Sequence, residues 1–217
     1  MGRNYQGVYG NWSGKTGNVV GHISQGRTIM SIYRNAIHNP RTERQQEQRL
    51  KMTLLAQLSA KLNPWLKKTF RMLDGYATGN PRSAFIGYQF RQLPSVFSGT
   101  YPNTTIEYAN IQVACGNQIT LPDGIAAEAS EGAIGVTWTD NSNEDWVKAT
   151  DRAMLLVYNP DKRRAVATDD GTQRSTRRIT RSYPNSWEGD TLHAWLVMSD
   201  ADGMEFSNSY YLGNFEG

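Results

Sequence analysis

The apolar residues of this 217-residue chain change period once, and that change limits what the chain can fold into. Upstream, Leu50, Leu54, Leu58 and Leu62 recur every four residues and form one helical stripe. From about residue 106 the period is two. "NIQVAC" alternates, and "GAIGVTWTDN" reads as a strand ending in a turn at Asp140-Asn141. "RAMLLVYNPDK" reads as a buried strand that leaves through Asn159-Pro160-Asp161. "RSTRRITRSY" alternates with its basic residues outward, and "DTLHAWLVMSDADGMEFSNSYYLG" reads as a hairpin around Asp200-Ala201-Asp202-Gly203. Short strands at such turn intervals predict an antiparallel sandwich, with Trp138 and Trp195 as its core anchors.

The helical stretch is punctuated by three Asn-Pro pairs. Asn39-Pro40 supplies an N-cap and a proline at the first helical position, and Thr42 with Gln45 offers a capping box one turn later. Asn63-Pro64 opens a second helix carrying Trp65, Leu66, Phe70 and Leu73, which Asp74-Gly75 ends. Asn80-Pro81 opens a short third helix with Phe85, Tyr88 and Leu93 roughly on one side. Proline and glycine cluster in "LPSVFSGTYPN", a boundary near residues 95–104. The expected fold class is α+β: a glycine-rich extended basic arm over 1–38, a helical region over 39–98 and an antiparallel β-sandwich over 105–217.

Glycines at 2, 7, 10, 14, 17, 21 and 26 weaken helix and strand alike, so residues 1–38 read as an arm, or as short strands laid on something else. Within them, "GNWSGKTGNVVG" ends a nucleotide-binding motif in Gly14-Lys15-Thr16. That motif needs a strand, a glycine loop of fixed length and a helix N-terminus around the phosphates. Gly10 stands one residue too close to Gly14, Tyr9 occupies the place of the motif's glycine, and "GNVVG" is a poor helix start. Nucleotide hydrolysis is therefore excluded.

No other frame for catalysis emerges. His22, His38 and His193 lack metal-ligand spacing, and His193 in an alternating strand reads as structural. Cys115, the single cysteine, precludes an internal disulfide, fits a reducing compartment and reads as a small buried side chain in a strand. "SDADGMEFS" has acidic spacing faintly like a calcium loop but lacks the closing glutamate and flanking helices. Ser, His and Asp are present without a nucleophile elbow. The expectation is a protein that is not an enzyme and takes no cofactor, metal or small-molecule substrate. No run approaches the length of a membrane span, and the N-terminus lacks the apolar core of a signal peptide, so no membrane partner is expected.

Charge is divided. Residues 1–73 hold 12 Lys and Arg against Glu43 and Glu47, a net +10, while residues 74–217 hold 11 bases against 18 acids, a net −7. The two ends suit either nucleic acid at the basic end or contact between the basic end of one copy and the acidic end of another.

"GNWSGKTGNVVGH" followed by "NPRTERQQEQRLKM" resembles the N-terminal signature of an uncharacterised protein family of Bacteroidota genomes and their phages. "VTWTDN", "DRAMLLVYN", "WEGDTLHAWLVM" and "SNSYYLG" extend the resemblance over nearly the whole chain. It implies little chemistry. The C-terminal half separately resembles a fibronectin type III or immunoglobulin-like sandwich, in which Trp138 is the tryptophan of the second strand and Gly189-Asp190 through Trp195 a late central strand.

The function expected is that of a structural, assembly protein: a bacteriophage virion component such as a neck, ring, collar, connector or head-decorating subunit, assembled in the host cytoplasm. Its partners are further copies of itself and other virion proteins, with DNA near the basic face. Expected arm contacts are Trp12, Gly14, Lys15, Gly17, Val19, Val20 and Gly21. On the helices they are Arg41, Arg44, Arg49, Lys51, Lys67, Lys68 and Arg71, opposite the leucine stripe. The alternatives are a nucleic-acid-binding protein using the basic helices and a surface adhesion module built on the sandwich.

Overall fold

The computed structural model describes residues 3–4, 12–24, 26–34, 39–70, 80–91, 95–116, 119–130, 132–142 and 147–217. The chain forms two units, Met1–Thr42 and Glu43–Gly217.

In the first unit, glycine breaks the chain into strands short enough to turn back on one another. Strands β1 (Arg3–Asn4), β2 (Trp12–Thr16), β3 (Val19–Ser24) and β4 (Arg27–Ile32) make one antiparallel sheet in that order. The segment is thus a meander of strands rather than an extended arm. Thr16 pairs with Val19, leaving Gly17 and Asn18 as a two-residue loop, and Gly17 takes the left-handed φ of 59° that a tight hairpin needs. Tyr33 N–H closes the loop on the Asn18 carbonyl at 2.7 Å. Asn39 does not open a helix; its Oδ1 accepts from Arg41 N–H at 3.4 Å, in a turn where Arg41 has φ 47°.

The second unit begins with α1 (Glu43–Lys61), which starts directly after Thr42, the later of the two starts expected. Its buried face is Leu55, Leu58 and Ser59, continued by Leu62 just beyond its end, while Leu50 and Leu54 are half-buried. Helix α2 (Asn63–Thr69) has Pro64 in its first turn and no side-chain cap. In α3 (Pro81–Arg91), Asn80 Oδ1 accepts from Arg82 N–H at 3.0 Å. Leu73, Asp74, Gly75 and Leu93, expected in the second and third helices or at their ends, lie outside the described residues. Among the described residues, no helix is long and apolar enough to cross a membrane.

A small hairpin, β5 (Phe97–Ser98) with β6 (Thr105–Ile106), leads into "NIQVAC". Residues 111–116 alternate in sequence but are not a strand. The Ala114 carbonyl accepts from Ser209 N–H at 3.2 Å, and side chains supply much of the rest of what a neighbouring strand would. Val113 N–H donates to Ser209 Oγ at 2.9 Å, and the Val113 carbonyl accepts from Trp65 Nε1 and Thr69 Oγ1, both at 2.9 Å. Gln89 brackets Gln112, its amide donating to the carbonyl at 2.8 Å and its Oε1 accepting from the N–H at 3.2 Å.

The remaining strands are β7 (Asp123–Ser130), β8 (Ala133–Thr139), β9 (Arg152–Asn159), β10 (Arg164–Thr168), β11 (Arg178–Ser182), β12 (Thr191–Ser199) and β13 (Tyr210–Glu216). They form antiparallel sheets in the orders β11-β8-β7 and β10-β9-β12-β13. Three strands face four, with the fourth strand added beside the third, as in a fibronectin type III-like sandwich. The fold class is α+β with a sheet-rich C-terminal region.

Strands β9 and β12 are buried on both faces. Ala153, Leu155 and Val157 join Leu192, Ala194, Leu196 and Met198 in the sandwich interior with Trp138 and Trp187. Met154, Leu156, Tyr158, Trp195 and Val197 point the other way, into a core with Leu55, Leu66, Phe70 and Phe85. Helices, four-stranded sheet and three-stranded sheet are therefore three layers sharing their middle wall. Of the two expected anchors, Trp138 fills the sandwich. Trp195 lies on its outer side under the helices, because residues 194 and 195 alternate across the sheet.

One further expectation is corrected. Arg174 of "RSTRRITRSY" is not outward but fully buried, on a 3-10 turn before β11. Its guanidinium donates to Asn141 Oδ1 and the Thr120 carbonyl, each at 2.7 Å, and to Asp151 Oδ2 at 3.3 Å.

Candidate functional site

Paired residues of neighbouring antiparallel strands point to the same face, and successive residues alternate. The pairs Gly14↔Gly21, Thr16↔Val19, Val19↔Ile32, Gly21↔Met30 and Ile23↔Thr28 therefore fix both faces of the meander. Trp12, Val19, Ile23, Met30 and Ile32 share one face. Lys15, Val20, His22, Arg27 and Ile29 share the other. The first face, which also carries Thr16 and Thr28, is mostly apolar and open, with Ile23 48% exposed, Met30 61% and Ile32 78%, while on the second face Ile29 is 44% exposed beside the cations. Such a face is commonly a contact surface when it reaches several hundred Å2, on the order of 300–600 Å2.

Local sequence explains how Trp12 is held there. A Cβ on Gly21 would stand 2.8 Å from the Trp12 carbonyl oxygen and 3.0 Å from its indole. Only glycine lets the ring lie against β3. On the opposite face, the Lys15 ammonium sits 3.4 Å from the centroid of the Tyr33 ring, a contact worth about 0.5–1 kcal/mol at an exposed site. Residues 1–42 carry five basic side chains, Arg3, Lys15, Arg27, Arg34 and Arg41, and no acid.

The seven expected arm contacts are thus divided. Trp12, Val19, Gly14 and Gly21 lie on the apolar face, Lys15 and Val20 on the basic one, and Gly17 in the hairpin loop. Gly14-Lys15-Thr16 runs along β2 into a hairpin, so no helix N-terminus follows it to hold a phosphate.

The helical contacts do not form one face. Lys51 stands four residues before Leu55 and seven before Leu58, which puts it on the leucine side of α1. Its side chain is only 14% exposed, pairs with Glu47 Oε1 at 2.5 Å and lies 5.7 Å from the Phe97 ring centroid. It is a core-edge residue, not part of the exposed basic set. Arg44 and Arg49 are exposed on α1, and Lys67 and Lys68 on α2, where Lys68 pairs with Asp169. Arg41 belongs to the first unit, and Arg71 lies outside the described residues.

A groove not foreseen from the sequence opens in the second unit where α1 crosses the end of β9. It measures about 360 Å3, with Leu54, Leu58, Ile106 and Pro160 among its walls, the rings of Tyr108 and Tyr158 beside them, and Lys61 and Arg163 as its charged lining. Among the described residues that line it there is no carboxylate, but the Asp161 carboxylate lies close enough to act on Tyr108. Beneath, Tyr108 stacks on His193 with centroids 4.2 Å apart, and His193 Nδ1 pairs with the Tyr211 hydroxyl at 2.8 Å. Burial pushes His193 down to about 4, and burial together with the neighbouring Tyr158 and Asp161 pushes the Tyr108 phenol up. Both shifts favour the uncharged forms at neutral pH, in which the cluster packs and hydrogen-bonds.

The His193 shift sets a pH dependence. Its folded pKa lies below the ordinary value of about 6.5, so the unfolded chain binds the extra proton. The contribution is complete above pH 6.5 and is lost as pH falls toward 4. Because the ring is partly exposed, the expected loss is about 1–2 kcal/mol. His193→Gln should flatten the slope of urea midpoint against pH across that window, and an unchanged slope would remove His193 as its cause.

Among the described residues, no group of three His, Cys, Asp or Glu side chains is placed to hold a metal ion. Cys115 is half-buried and unbridged, and it lies outside any strand. The family model that matches this chain is that of a family of unknown function, DUF6266, over residues 10–213. Among curated proteins, none matches the chain.

Proposed function

We propose that this chain, which belongs to the DUF6266 family of unknown function, is a non-enzymatic assembly subunit. Its first unit docks on a neighbouring subunit through the apolar face of the meander. The observation that carries this reading is the sorting of that sheet: an open face of Trp12, Val19, Ile23, Met30 and Ile32 backed by a face bearing Lys15 and Arg27. A thin sheet with one open apolar face gains stability by covering it, and with the cations on the other side the covering costs no buried charge. The setting we assign is a bacteriophage particle, as a neck, ring, collar, connector or head-decorating subunit. The likeness of the arm and first-helix signature to proteins of Bacteroidota and their phages supports that assignment.

The test is the mass of the purified chain in solution. The native protein is expected to be oligomeric, and Met30→Lys with Ile32→Lys should release smaller species while far-UV circular dichroism stays unchanged. A native protein that is monomeric at high concentration would overturn the assembly reading; unchanged mass for the variant would overturn the role of this face. The second reading, nucleic-acid binding, is favoured by the excess of cations over acids in residues 1–42. In the same preparation, duplex binding that weakens steeply with salt and is lost in Lys15→Glu with Arg27→Glu would assign the basic face to phosphates.

A further inference from the structure

The groove beside α1 and the acidic turn after β12 are complementary. Asp200 builds that turn: its Oδ1 accepts from Met204 N–H at 2.6 Å and Glu205 N–H at 3.0 Å, and its carbonyl accepts from Gly203 N–H at 3.1 Å. With Asp200 engaged inside the turn, Asp202 and Glu205 are the exposed carboxylates, and Met204 stands between them 44% exposed. The groove presents the reverse pattern among its lining residues, apolar walls with the cations Lys61 and Arg163, although the Asp161 carboxylate is near enough to act on Tyr108.

The two features lie at opposite ends of one strand. Tyr158, in the groove, pairs with His193 near the start of β12, whereas the turn follows Ser199 at its end. Six residues of strand separate these levels, roughly 20 Å at about 3.3 Å per residue. A turn held that far away cannot fill its own groove, but it can fill the groove of another copy. Such a contact is heterologous: each subunit gives one surface and receives on a different one, which generates rings or open filaments.

We propose that the Asp200–Glu205 turn of one copy seats in the Lys61–Arg163 groove of the next, Met204 against the apolar walls and Asp202 and Glu205 toward the two cations. This contact rests on the assembly reading above. The turn is prebuilt by Asp200, so little ordering cost accompanies docking. Its charged pairs lie at the rim, where they set partner and direction more than affinity and weaken as salt rises.

The experiment is a charge exchange on the full chain, read by sedimentation as the dissociation constant of the oligomer. Asp202→Lys with Glu205→Lys should raise it at least about ten-fold, and Lys61→Glu with Arg163→Glu should do the same, since each replaces attraction by repulsion. The chain carrying all four exchanges should return to within a few-fold of the native value. A native oligomer whose constant is moved by neither pair, or a four-fold variant no tighter than the weaker pair, would overturn this contact and leave the assembly reading standing. A monomeric native chain would overturn both. Circular dichroism of each variant separates loss of docking from loss of fold.

Discussion

Exchanging Arg174 for methionine is expected to cost about 3–5 kcal/mol of folding stability, the usual penalty for removing one partner of a buried ion pair. The side chain is fully buried, and no water can replace what it supplies. Its donors hold Asn141, the Thr120 carbonyl and Asp151, so one residue ties the segment before β7, the end of β8 and the start of β9. Asp151, itself 4% exposed, would keep its bond from Lys148 N–H at 3.3 Å but lose its countercharge. Urea denaturation measures the loss, and a value under about 1 kcal/mol would sink the argument. Arg174→Lys should recover only part, because an ammonium cannot fork between three acceptors. Arg174→Met combined with Asp151→Asn should cost less than the sum of the two changes, since the stranded charge disappears with its partner.

Phe85→Ala is expected to cost about 3–5 kcal/mol, as large aromatic truncations in cores do. Phe85 is wholly buried on α3 and meets Phe70 edge to face, with centroids 5.6 Å apart and planes at 84°. The diagnostic consequence is where the loss is felt. The helices and the sandwich share β9 and β12 as one wall, so the variant should unfold in a single transition at a lowered midpoint. Far-UV signal from the helices and near-UV signal from the tryptophans of both cores should move together. Two separated transitions would show that the helical layer melts without the sandwich.

Much of the architecture is legible in the residues because local signals and burial agree. The alternation of "GAIGVTWT" and the turn residues around Asn159-Pro160 locate β8 and β9, and the Asn-Pro pairs mark the starts of α2 and α3. Where sequence and structure differ, two of the cases come from elements that have two faces. Alternation places Trp195 opposite its neighbours but does not say which side of the sheet a second layer covers. Lys51 resembles the exposed cations in sequence, although its spacing from Leu55 and Leu58 places it on their side of α1. Arg174 resembled its exposed neighbours Arg177 and Arg178 because a buried guanidinium differs from them only in long-range partners, Thr120 and Asp151 among them. Residues 111–116 look like a strand because polar and apolar residues alternate in "NIQVAC", while most of their hydrogen bonds go to side chains of Gln89, Trp65, Thr69 and Ser209.

The sorting of the meander could be read only in part. Glycine spacing announced short segments, but the separation of Lys15 and Arg27 from Ile23, Met30 and Ile32 depends on the pairing register. Val19 and Val20 look equivalent in sequence and face opposite ways. The groove on α1 is the least legible, because Lys61, Tyr108, Tyr158 and Arg163 come together only once the end of a helix, a 3-10 turn and the end of β9 with its following turn meet.

The hydrogen bonds through residues 111–116 also set an order of events during synthesis. Trp65 and Thr69 rest on the Val113 carbonyl, and Val113 N–H is held in turn by Ser209, close to the last strand. The helices therefore emerge from the ribosome well over a hundred residues before their support is complete. At about 5–20 residues per second, Leu55, Leu66, Phe70 and Phe85 wait on the order of ten seconds before β12 and Ser209 complete the wall that β9 begins. For that interval the nascent chain carries the residues of its helical core without their full cover, the kind of transient apolar surface that favours aggregation over folding.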